Sequence, residues 1–149
     1  MTKKKDKKKN KMDKKEILNL IQEERFDEVP TIYWKDKALV LAVVKQWGGV
    51  LQFTDQTLKK DKKIVLTAVK QDGYALYCAD ETLKKDKEIV LTAVKQVGRA
   101  LQYAEETLKK DKEIVLAAVK QDGFALEYAD KSLRKDPDII KAAEKKEKR

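Results

Sequence analysis

The chain has 149 residues, 42% hydrophobic and 41% charged, with a formal net charge of +9. That length holds one ordinary domain, and the balance suits narrow helical layers with solvated faces better than one thick core. The absence of histidine removes the commonest general base and metal ligand, and a single cysteine excludes an internal disulfide.

The charge sits at the ends. Residues 1–15 carry nine lysines against two aspartates and residues 144–149 carry four cations against two glutamates, so Glu16 to Ala143 holds 22 basic and 22 acidic residues. Residues 1–12 read as a disordered lysine-rich tail. Within it Lys3, Lys4, Lys5, Lys7, Lys8 and Lys9 are candidate contacts to a polyanion, either nucleic acid or an acidic membrane surface. Lacking arginine and aromatic residues, the tail would bind without reading bases, and a solubilising arm is the plainer alternative.

Residues 13–34 form the next segment. Asp13 and Glu16 have the spacing of a capping box, and Ile17, Leu18, Leu20 and Ile21 follow, which predicts a capping helix over the array. The apolar stretch Ile17 to Gln22 is too short and polar for a signal peptide. No window approaches the roughly 18 apolar residues of a membrane span. With one unpaired thiol, the expected location is cytoplasmic. Tyr33 falls in register with the repeat that follows, so a degenerate unit leads into it.

Residues 35–143 are a repeat domain. Asp36, Asp61, Asp86, Asp111 and Asp136 each lie 25 residues after the last, as do Gly48, Gly73, Gly98 and Gly123. The units from Asp86 and Asp111 share 17 of 25 positions. Each Asp precedes an apolar run and suits a helix N-cap, where its carboxylate accepts first-turn N–H groups. Pro137 after the fifth Asp suits the first helical position. The Gly ends that helix, and its expected role is a left-handed C′ residue. Ile89, Val90, Leu91, Ala93 and Val94 cover more than one stripe, so the helix packs on both sides. A second, shorter helix follows, with a break expected near Asp80. Units one and three differ together from units two and four, which implies a 50-residue module. Residues 144–149 form a charged C-terminal end. The predicted fold is all-α, a right-handed α-solenoid of 25-residue two-helix repeats with an N-terminal capping helix.

The run L-K-K-D-K-E-I-V-L-x-A-V-K-Q-x-G-x-A-L-x-Y-A, from Leu83 and again from Leu108, resembles the bacterial repeat family called domain of unknown function 4116. The resemblance covers residues 33–143, with unit one departing at Gly49, Val50, Phe53 and Thr54. It implies helical repeats and supplies no catalytic residues.

No Gly-rich phosphate loop, CxxC pair or Ser-centred elbow is present. The recurring Asp is better explained by capping than by a metal, and Cys78, in the column of Phe53, Tyr103 and Tyr128, by packing than by thiol chemistry. Neither an enzyme nor a cofactor is therefore expected. What varies between units is free to form a surface, and Trp47, Tyr74, Tyr77, Arg99, Phe124 and Glu127 are the candidate partner residues, Trp, Tyr and Arg being the usual interface anchors. The plainer alternative has Tyr74 and Phe124 packing on the adjacent unit. The expected function is a non-catalytic protein-interaction module or scaffold. The alternative is nonspecific nucleic-acid association through the tail.

Overall fold

The computed structural model describes residues 11–147, so the polyanion candidates Lys3, Lys4, Lys5, Lys7, Lys8 and Lys9 lie outside the described residues. Helix α1 (Lys14–Gln22) opens on Asp13 in a complete capping box with Glu16 and buries Ile17, Leu20 and Ile21. The array follows as α2 (Lys37–Val44), α3 (Lys62–Gln71), α4 (Lys87–Gln96), α5 (Lys112–Gln121) and α6 (Pro137–Glu147). Each is started by the recurring Asp. In α4, for instance, one carboxylate oxygen of Asp86 accepts the N–H of Glu88 and of Ile89 at 3.0 and 3.2 Å. Two of the four orphan N–H groups of each helix are thereby satisfied by one side chain.

The second helix of each unit is a six-residue 3-10 helix, at Gly48–Phe53, Gly73–Cys78, Gly98–Tyr103 and Gly123–Tyr128. The expected break is real and lies one residue earlier than Asp80. Ala79 turns to extended backbone at φ −66° and ψ 151°, as do Thr54, Ala104 and Ala129 in their units. Asp80 then accepts the N–H and hydroxyl of Thr82, which holds the chain in a turn toward the next cap.

The left-handed glycine is a correction. No glycine among the described residues has positive φ. The residue type is required by close approach instead: a Cβ on Gly73 would stand 2.5 Å from the carbonyl oxygen of Ala93 and 3.1 Å from the N–H nitrogen of Val97, at the end of the next unit's helix. Gly48 meets Ala68 and Asp72 in the same way, and Gly98 meets Ala118 and Asp122.

The units stack as two layers, helices beside helices and 3-10 segments beside 3-10 segments, in a helical-repeat solenoid with no strand among the described residues. The core runs between the layers as a continuous spine. Ile64, Val65, Ala68 and Val69 of α3 are fully buried with Leu76, and Ile89, Val90, Ala93 and Val94 of α4 with Leu101. A helix of this length buries enough only because neighbours cover it on either side.

Two ladders tie the units together. Asp80, Glu105 and Asp130 donate their N–H groups to the carbonyls of Lys59, Lys84 and Lys109, each at 3.0 Å. Along the helix starts, Lys37, Lys62, Lys87 and Lys112 reach Asp61, Asp86, Asp111 and Asp136 of the next unit at 2.5, 2.8, 2.8 and 2.9 Å. Each capping carboxylate from Asp61 to Asp136 thus serves its own helix with one oxygen and its neighbour's lysine with the other.

Candidate functional site

Residues i and i+3 of a 3-10 helix eclipse one another. In Gly73–Cys78 this sets Tyr77 directly along from Tyr74, on the side opposite the buried Ala75 and Leu76. Phe124 and Glu127 hold the same relation in the fourth unit, both exposed. Positions 74 and 77, and 124 and 127 two units on, therefore lie on one face of the 3-10 layer. Tyr74, Tyr77 and Phe124 are 44%, 64% and 54% exposed, which makes them the most exposed aromatic side chains of the described residues.

These rings are held in place. Asp72 accepts the N–H of Tyr74, and Asp122 that of Phe124, at 2.9 and 3.0 Å, which fixes the start of each 3-10 helix. Tyr103, which the sequence reading did not single out, meets Tyr77 at 5.1 Å between centroids and Tyr74 at 6.5 Å. Its signal is the i+25 relation to Cys78, meaningful only once the units are known to stack. Arg99 is half-buried. Its Nε donates to Asp122 at 2.6 Å, and its guanidinium carbon lies 4.9 Å from the ring centre of Phe124. The Asp122 bond raises the Arg99 pKa.

Trp47 stands apart from this face. It is half-buried at the N-terminal end, edge-on to Phe26 at 5.6 Å, while Phe53 stacks on the buried Trp34 at 5.9 Å. Trp47, Phe26 and Phe53 wall a groove of about 370 Å³ that also touches Gly49, Gln52, Gln71 and Asp72. Phe26 was invisible to the repeat reading because it precedes the regular units.

The groups gathered on this side are aromatic rings, one paired guanidinium and capping carboxylates, which bind by stacking and charge. Cys78 is half-buried, and burial pushes its thiol up against the opposing pull of Lys59 and Lys84. The described residues hold no group of three or more carboxylate or thiol side chains placed for a metal ion. None of their helices is long and apolar enough to cross a membrane.

A family model described as domain of unknown function (DUF4116) matches residues 36–84, 64–109, 86–134 and 111–148. The first three matches each cover roughly two 25-residue units, and successive matches overlap, each beginning about one unit after the last. No curated protein and no solved structure matches the chain. Because the family model recurs over the whole stacked array, from the Asp36 cap to the last helix, the chain belongs to the family of domain of unknown function 4116.

Proposed function

We propose that the array is a non-catalytic binding module that presents its 3-10 face to a protein partner. The observation that carries this reading is the set of exposed aromatics on the 3-10 face, Tyr74 and Tyr77 packed on Tyr103 and Phe124 under the Arg99 guanidinium. Exposed aromatics held by packed neighbours have little freedom to lose on binding, and they desolvate favourably. The single free cysteine, Cys78, suits a reducing, cytoplasmic setting.

The test is capture from native extract at high salt, which suppresses contacts made by charge alone. A partner retained by the wild type and lost on combined Tyr77→Ala and Phe124→Ala supports the module. No salt-resistant partner, or one indifferent to these substitutions, overturns it.

The nine lysines of residues 1–15 support a second reading, sequence-blind association with nucleic acid. It is tested by removing residues 1–12.

A further inference from the structure

The 50-residue alternation makes the two halves of the array comparison structures for one another. In the second half, Arg99 Nε donates to Asp122 Oδ2 and the guanidinium lies over Phe124. Fifty residues earlier, the same three positions are Gly49, Asp72 and Tyr74. Asp72 is held as Asp122 is, with Oδ1 accepting the N–H of the residue two further on. Its Oδ2 faces Gly49: a Cβ built there would lie 3.5 Å from it, the one contact within 4 Å beyond the local backbone. Among the described residues that oxygen takes part in no ion pair. The carboxylate of the Arg99 arrangement is therefore retained, a tyrosine stands at the sequence position of its ring, and the cation is replaced by glycine.

The space beside Gly49 is the groove walled by Phe26, Trp47 and Phe53, with Gln52, Gln71 and Asp72 at its edge. Three chemistries meet there. A carboxylate oxygen offers charge and an acceptor, glutamine amide oxygens offer further acceptors, and aromatic walls offer faces. An arginine side chain uses all three, because its planar guanidinium forks several N–H donors while its faces stack. A lysine ammonium, a compact and strongly hydrated point charge, uses chiefly the first.

We propose that the groove between Gly49 and Asp72 receives an arginine side chain of the partner protein, in the place that Arg99 occupies in the second half. This rests on the binding-module reading and supplies its chemistry: the partner presents arginine to the first half of the array.

The probe is the blocked tripeptide acetyl-Gly-Arg-Gly-amide, titrated into the full-length protein and followed by NMR at the Gly49 amide and the Trp47 indole N–H. Saturable shifts are expected, with binding about tenfold weaker for the lysine peptide and lost for the uncharged citrulline peptide. Asp72→Asn, which keeps the cap to Tyr74, is expected to weaken binding about tenfold. Gly49→Arg is expected to pair with Asp72 internally, abolishing peptide binding and raising Tm. Absent shifts, equal binding of the citrulline peptide, no effect of Asp72→Asn, or a lower Tm for Gly49→Arg would each overturn the proposal. Salt-resistant capture that needs Tyr77 and Phe124 but survives Gly49→Arg overturns the arginine site and leaves the module reading. Arginine-peptide binding without any captured partner does the reverse.

Discussion

Gly73 and Gly98 are glycines because the carbonyl end of the following helix presses against them, at Ala93 and Ala118. A methyl group there must displace backbone rather than a flexible side chain. Gly73→Ala and Gly98→Ala should each cost about 1–3 kcal/mol in urea unfolding, the usual range for overpacking. Gly49→Ala, whose Cβ has room, should be near neutral. The capping aspartates carry a pH signature. Hydrogen bonds from Lys37 and Lys87 hold Asp61 and Asp111 below the ordinary carboxylate range. Burial pushes Asp86 up, but the bond from Lys62 and the N–H groups of Ile89 and Glu88 outweigh it. A depressed folded pKa gives stability that is present above the unfolded value, about 4, and is lost as pH falls through the folded value. Stability should therefore drop as pH falls below about 4, and combined Asp61→Asn, Asp86→Asn and Asp111→Asn should flatten that drop. The N-cap role of these residues was legible in sequence because capping is local. The lysine rungs were not, since Lys62 and Asp86 become neighbours only by stacking.

Each unit pairs an α-helix with a 3-10 helix, and in the first three units a buried leucine, Leu51, Leu76 or Leu101, anchors that helix to the spine. Leu101 is fully buried, and Leu101→Ala should cost about 2–5 kcal/mol through lost transfer energy and a cavity that the stacked neighbours cannot fill. Measured by chemical denaturation, a loss below 1 kcal/mol would show that the 3-10 layer collapses around the gap. The apolar spacing alone was enough to place a second helix after each glycine. That it winds as a 3-10 helix was not readable, because six residues are too few to separate a period of 3.0 from 3.6. The winding matters for the site: it aligns Tyr74 with Tyr77 and Phe124 with Glu127. It also shows Trp47 in a different setting from the other candidates, packed on Phe26.

Across the whole molecule, each unit touches only its neighbours, so stability accumulates along the stack and the ends need covers. Helix α1 is the N-terminal one. The body is close to neutral, and the net positive charge lies mainly in the lysine-rich start. If those lysines make 6–10 phosphate contacts, affinity for duplex DNA should fall about 10³–10⁵-fold between 50 and 200 mM salt. It should vanish when residues 1–12 are removed; filter binding across a salt series checks both. By itself the sequence determined the repeat, its period, the helix starts, the all-helical class and where the net charge lies. Those follow from rules acting within a dozen residues, applied again every 25. Only the tertiary structure decided why the glycines are glycines, which lysine meets which aspartate, which aromatics share a face and that Gly49 opens a groove beside Asp72. All of these are relations between one unit and the next, and they exist only once stacking brings together residues some 25 apart in sequence.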